Sequence, residues 1–222
     1  MLNKFLISSI IILFAFIVLA LIVSPKINYG DNSVVNIDKI AYLDINNFHY
    51  SPINQLMIYL TLYGREVFWV LTIIVLFIFG GSAGKKTAIV LSIVILVLIP
   101  IGIIAKEVIE RPRPTIPPTD FLIPADSEFS FPSGHALIVS AGAAIVLVLF
   151  RDSTRKLAIS LFLSIEAGLV CLSRVYVGGH YPLDVIGGIF LGVGVSFLFL
   201  WKEKKLESIF SILSNRLNFR HK

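Results

Sequence analysis

A chain of 222 residues that is 56% hydrophobic and 15% charged, with mean hydropathy +0.88, falls outside the soluble range, which sits near 45–50% apolar and about 25% charged. The net charge of +5 and pI near 9.4 do not describe a nucleic-acid face. The basic residues lie in short loops between apolar runs, the distribution that orients membrane proteins, and the single cysteine, Cys171, excludes an internal disulfide.

The first apolar run, 5–23, is long enough to cross a bilayer of about 30 Å. It is too long for the core of a cleaved leader and is read as a retained span. Residues 25–52 form a polar segment. Residues 53–63 are mildly amphipathic and are expected in the interface or over the bundle, with Gly64 and Arg65 punctuating their end. The second span, 67–80, runs into Gly80-Gly81-Ser82-Ala83-Gly84, which reads as a tight turn before Lys85 and Lys86. The third, 87–105, contains Pro100, expected to bend it. Lys106 closes it, and a loop rich in proline and charge reaches Pro132. The fourth span, 134–150, is followed by a basic turn; the fifth is 157–172 and the sixth 181–201. Residues 202–222 form a basic tail with an amphipathic helix expected near 206–217. These runs predict an all-α integral membrane bundle of six transmembrane helices, one domain over 1–222.

Six crossings place both termini on one side. Lys4, Lys85, Lys86, Arg151, Arg155, Lys156 and the basic tail share that side and hold most of the 19 Lys and Arg residues. The bias predicts cytoplasmic termini. The loop after Lys106 and the stretch Ser173 to Asp184 then share the extracytoplasmic end, so clusters distant in sequence are free to form one site.

That stretch, SRVYVGGHYPLD, concentrates the chemistry. A helix starting near Tyr181 tolerates Pro182 in its first turn and puts His180 and Asp184 on one face. The carboxylate then holds one ring nitrogen and leaves the other to attack. Arg174 offers a forked cation for phosphate oxygens. Read alone, the stretch equally suits a polar loop with a satisfied surface histidine. Lys106 and Arg113 in KEVIERPRP add cations. Ser133 and Gly134 in PSGH begin a helix whose free N–H groups point at an anion. His135 and His180 supply one nucleophile and one acid, the pair that two-step phosphoryl transfer needs. The residues alone do not say which is which.

The ordered pattern Lys106-x6-Arg113-Pro114, Pro132-Ser133-Gly134-His135, and Ser173-Arg174-x5-His180-x3-Asp184 resembles the type 2 phosphatidic acid phosphatase superfamily, with no motif position departing from it. The resemblance covers most of the chain; the tail and the 25–52 segment match weakly. It implies a chloroperoxidase-like phosphatase core and the roles of the residues. His180 attacks phosphorus and becomes a phosphohistidine, oriented by Asp184. His135 protonates the leaving oxygen and then activates water. Lys106, Arg113, Ser133, Gly134 and Arg174 hold the phosphate oxygens. No metal or other cofactor is implied, and the sequence has no carboxylate cluster suited to Mg²⁺.

Other polar residues carry less. Glu166 lies mid-span and reads as a protonated or hydrogen-bonded packing group unless it serves activity. Arg111 reads as a loop cation with a secondary reading as a diphosphate contact, and His49 and His221 as solvent or interface residues. Gly188 and Gly192 fit close helix packing. The expected activity is hydrolysis of a lipid phosphate or polyprenyl diphosphate, such as undecaprenyl or dolichyl diphosphate. Phosphatidic acid and phosphatidylglycerol phosphate are the next substrates in line. A lipid phosphotransferase and a non-catalytic lipid-phosphate binder are the alternatives.

Overall fold

The computed structural model describes residues 2–27, 32–115, 122–124 and 127–202. Among these residues it is all-helical: α1 (Leu2–Val23), α2 (Ser33–Asn46), α3 (Ser51–Tyr63), α4 (Glu66–Phe79), α5 (Gly81–Ile109), α6 (Gly134–Leu149), α7 (Thr154–Tyr176) and α8 (Pro182–Trp201). The amphipathic helix expected near 206–217, with His221, lies outside the described residues, as do 116–121 and 125–126 of the proline-rich loop.

α6 is the centre. It is a 16-residue apolar helix walled by α5, α7 and α8, with Leu137, Val139, Ile145 and Val146 fully enclosed. α8 reaches it so closely because two of its glycines carry no side chain at the crossing. A Cβ on Gly192 would stand 2.3 Å from the Leu137 carbonyl oxygen, and one on Gly188 would stand 2.6 Å from that of Ser133. Small residues give apolar helices the van der Waals contact that holds them together where lipid supplies no hydrophobic drive. α1 packs on the other side of α8, where Ser9 Oγ donates to the Gly194 carbonyl at 2.6 Å. Outward faces present Phe14, Phe79, Leu96 and Ile165, the surface a bilayer covers.

Four helices, α1, α5, α7 and α8, are long and apolar enough to cross a membrane. α3 and α4 form a fifth candidate as one span bent by 62° at Gly64 and Arg65. α4 alone is about 21 Å long at 1.5 Å per residue, short of a bilayer, so the expected second span is long enough to cross only together with α3. α6 is the shorter sixth apolar helix.

The structure differs from the sequence reading in two further places. The glycine-rich turn shrinks to Gly80 and Gly81, and α5 begins at Gly81 and takes in Lys85, Lys86 and Lys106. Close packing on α4 is the reason: a Cβ on Gly84 would meet the Leu76 carbonyl oxygen at 2.4 Å. The polar segment carries α2, capped by Asn32, whose side chain accepts from Val34 N at 2.9 Å. Its exposed isoleucines hid the buried face of Asp38 and Tyr42.

Gly192→Val is expected to destabilise the protein by about 1–3 kcal/mol or more, as overpacking does. The unfolding temperature in detergent measures it; an unchanged value removes the α6–α8 crossing as the central contact.

Candidate active site

α7 ends and α8 begins at one end of the bundle, and the turn between them carries the histidine. Gly178, at φ 90, reverses the chain after Tyr176. The His180 N–H returns to the Arg174 carbonyl at 3.1 Å, closing the turn over the arginine. A side chain at Gly179 would crowd the arginine, since a Cβ there would lie 3.0 Å from Arg174 Nη2. Arg174 is buried beneath the turn and His180 is enclosed within it. Pro182 is the first residue of α8 and Asp184 its third.

His180 and Asp184 face each other without the expected hydrogen bond: Nδ1 stands 3.5 Å from Asp184 Oδ2 and makes no hydrogen bond among the described residues. Oδ2 accepts from Tyr181 N at 2.9 Å, which fixes the carboxylate across the first turn of α8. The other face of the ring, Nε2, meets Arg113 Nη1 at 3.3 Å.

Arg111 is not a loop cation. It is buried between two carboxylates, with Nη1 on Asp184 Oδ1 at 2.5 Å and Nη2 on Asp38 Oδ2 at 2.6 Å. Its guanidinium covers the Tyr181 ring at 4.4 Å. Asp38 Oδ1 accepts from Leu183 N at 2.9 Å, so α2 caps the start of α8. Burial disfavours the Arg111 cation, but the charge of Asp184 and the bond to Asp38 outweigh it and raise its pKa. Burial raises the Asp38 carboxyl above its usual range, with the Arg111 hydrogen bond opposing.

The cations predicted to hold an anion converge beside this turn. Arg113 also donates through Nη1 to the Gly179 carbonyl at 2.7 Å and through Nε to the Glu128 carbonyl at 2.7 Å. Lys106, in the last turn of α5, reaches the Glu128 carboxylate at 2.6 Å. Ser133 stands at the N-cap position of α6 and its N–H donates to the Asp184 carbonyl at 2.9 Å, joining PSGH to the histidine turn. Ser133 Oγ is buried and has no hydrogen-bond partner among the described residues. An orphaned hydroxyl beside free helix N–H groups and three cations makes an anion pocket.

His135 sits one residue into α6 and lies within electrostatic reach of His180 and Arg174. Its Nε2 is 3.0 Å from the Thr61 carbonyl, which can only accept, so Nε2 carries the hydrogen. Nδ1 faces Arg65 Nη1 at 3.3 Å. Below, an apolar cleft of about 550 Å³ opens between α4, α5 and α6, from Lys106 and Gly134 down past Trp69 to Ser92. Lys106 and Ser92 are about 21 Å apart along α5.

All eight residues predicted from sequence gather at this end: Lys106, Arg113, Ser133, Gly134, His135, Arg174, His180 and Asp184. Sequence reading missed Asp38, Thr61 and Arg65 as site residues. Arg65 had a usable signal, since the charge bias put it on the same side as the motifs; Asp38 and Thr61 had none. Glu166 stays out of the pocket and accepts from Trp69 Nε1 at 3.1 Å, as a packing group. His49 is half-buried, with Nε2 2.9 Å from the Tyr176 carbonyl.

A buried histidine flanked by cations and helix N–H groups, at the mouth of an apolar cleft, defines a membrane protein that handles an anionic headgroup. Residues 86–207 match the PAP2 superfamily. The undecaprenyl-diphosphatase of Sulfolobus acidocaldarius is 37% identical over 207 residues, covering 90% of this chain and 95% of the relative. Undecaprenyl-diphosphatase BcrC of Bacillus subtilis is 32% identical over 152 residues, covering 68% and 75%. The crystal structure of a transmembrane PAP2 type phosphatidylglycerolphosphate phosphatase from Bacillus subtilis aligns with TM-score 0.68 at 25% identity, over 89% of this chain and 96% of that one. The chain belongs to the PAP2 superfamily.

Arg111→Met leaves Asp38 and Asp184 buried together without their cation. A loss of about 3–5 kcal/mol in unfolding free energy is expected, the cost of removing one partner of a buried ion pair. Thermal unfolding in detergent measures it, and an unshifted midpoint contradicts the reading.

Proposed function

We propose that the protein hydrolyses the terminal phosphate of a polyprenyl diphosphate at the extracytoplasmic membrane face, through a phosphohistidine on His180. As a PAP2 protein it is a lipid phosphatase. The polyprenyl class is favoured because two relatives matched over most of their length bear the name undecaprenyl-diphosphatase. The face follows from the Lys and Arg bias, which puts the termini in the cytoplasm. The whole chain, 1–222, acts as one phosphatase domain embedded in the bilayer.

In this reading the lipid tail lies in the cleft and the terminal phosphate rests on Lys106, Arg113, Arg174, Ser133 and the N–H groups at Gly134. Those donors match the charge that spreads over the transferred phosphoryl oxygens, so they stabilise the transition state without a metal ion. His180 Nε2 attacks phosphorus and forms the P–N bond as the bridging P–O bond breaks. Asp184 stabilises the resulting imidazolium through Nδ1. His135, protonated on Nδ1 as the anionic headgroup enters, gives that proton to the departing oxygen, and the lipid phosphate leaves. Water then attacks phosphorus, His135 takes its proton, the P–N bond breaks, and inorganic phosphate is released. The observation that carries this reading is the placement of His180. One ring nitrogen faces a carboxylate and the other faces Arg113 beside the cleft mouth.

Phosphatidylglycerol phosphate and phosphatidic acid are the competing substrates, the first being the one in the name of the structural neighbour. Phosphate release from a panel of purified lipid phosphates and diphosphates, with chelator present, tests the assignment. The diphosphate is expected to be turned over fastest. Free phosphate in the presence of an added alcohol excludes phosphotransfer, and no release from any lipid points to a binder. His180→Ala is expected to lower kcat by about a thousandfold or more, as loss of a nucleophile does. Turnover at the parental rate in that variant removes His180 as the attacking group.

A further inference from the structure

Arg65 is absent from the ordered motifs, yet it stands inside the pocket they build. It occupies the break between α3 and α4, where the chain bends by 62° and side chains reach the cleft without crossing a helix face. An ionisable residue in a broken span is costly unless it faces a cavity or a partner. Arg65 has both: Glu66 holds its Nε and Nη2, and Nη1 points to His135 Nδ1 at 3.3 Å. A Cβ on Gly134 would lie 3.3 Å from the same Nη1, so the guanidinium also borders the start of α6. Arg65 lines the polar end of the cleft with Lys106 and Gly134, one helical turn from Trp69 in its apolar wall.

That position decides what the cation meets. Reading inward from the attacked phosphorus, the leaving oxygen comes next, beside His135, and the remainder of the lipid follows. In a phosphate monoester the atom after the leaving oxygen is carbon, which gives a guanidinium nothing to bind. In a diphosphate it is a second phosphorus with its own charged oxygens, which match the fork of an arginine. The two leaving groups also differ in what they need. An alkoxide needs a proton, which His135 supplies. A departing lipid phosphate needs compensation for negative charge. Because Thr61 fixes the hydrogen on Nε2, Nδ1 is the atom that exchanges a proton with substrate. An oxygen set between Nδ1 and Arg65 Nη1 meets a cation and, once the headgroup's charge has protonated the ring, a proton donor.

We propose that Arg65 binds the lipid-side phosphate of a diphosphate substrate and sets the preference for diphosphates over monophosphates. This rests on the lipid phosphatase reading above and adds to it a residue that discriminates by headgroup. Glu66 keeps the guanidinium from turning toward the terminal phosphate, which already has Lys106, Arg113 and Arg174.

The test compares the full-length parent protein with Arg65→Gln and Arg65→Lys on a polyprenyl diphosphate and the polyprenyl monophosphate of the same chain length. Arg65→Gln is expected to lower kcat/KM on the diphosphate by roughly 10- to 100-fold, the worth of a charged hydrogen bond. On the monophosphate the loss is expected to be at least about tenfold smaller than on the diphosphate, and an unchanged unfolding temperature in detergent shows that the variant is folded. Arg65→Lys falls between, since it keeps the charge without the fork. Inorganic pyrophosphate should inhibit the parent more strongly than inorganic phosphate, and that difference should vanish in Arg65→Gln. Equal losses on both lipids at an unchanged unfolding temperature overturn the proposal, because Arg65 then only orients His135. If Arg65→Gln unfolds, equal losses in Arg65→Lys do the same. A parent protein that releases no phosphate from either lipid overturns the phosphatase reading itself, and Arg65's role with it.

Discussion

A guanidinium pinned between two carboxylates, Arg111 between Asp38 and Asp184, governs the geometry of the reactive end. In a low-dielectric setting a charge is kept only when it is paired and its remaining hydrogen-bonding capacity is used. Here each carboxylate has a second duty. Asp38 caps α8 through Leu183 N, and Asp184 Oδ2 holds the Tyr181 N–H and faces His180 Nδ1. α2, the loop after α5 and the start of α8 are thereby locked into one unit. The histidine turn hangs from that unit, so the direction of the His180 ring is set by groups far from it in sequence.

The second constraint is close packing at the middle of the bundle. Glycines on α8 let α6 approach until Gly192 lies against the Leu137 carbonyl and Gly188 against that of Ser133. The latter contact, with the Ser133 N–H bonded to the Asp184 carbonyl, puts the PSGH helix start beside the histidine turn. Trp69 is wedged over Gly142 and held by Glu166, and it forms part of the cleft wall. Core packing and pocket shape are therefore one arrangement. A helix shift that loosened the crossing also moves the anion site relative to the cleft.

Much of this was legible before any coordinates. The apolar runs marked the helices, because a segment that cannot hydrogen-bond to lipid must satisfy its backbone internally. The motif residues announced themselves by spacing and by polarity against an apolar background. The helix start near Pro182 followed from the tolerance of a first turn for proline. The misreadings share a cause. The glycines at 80–84 look like a turn locally but serve close packing. The 25–52 segment hides a helix whose buried face has only Asp38 and Tyr42. Arg111 looks like a solvated loop cation until its two carboxylate partners are seen.

By itself the sequence determined that this chain is a membrane bundle with a cationic, two-histidine site at one end. Those properties follow from hydropathy and local spacing, which act along the chain. Only the tertiary structure decided that Asp38 and Arg111 steady Asp184, that the Thr61 carbonyl meets His135, and that Arg65 reaches His135 while lining the cleft. Each of these is a meeting of residues about 70 or more apart in sequence. No local pattern encodes such a meeting, because what brings the partners together is the packing of whole helices rather than the identity of their neighbours.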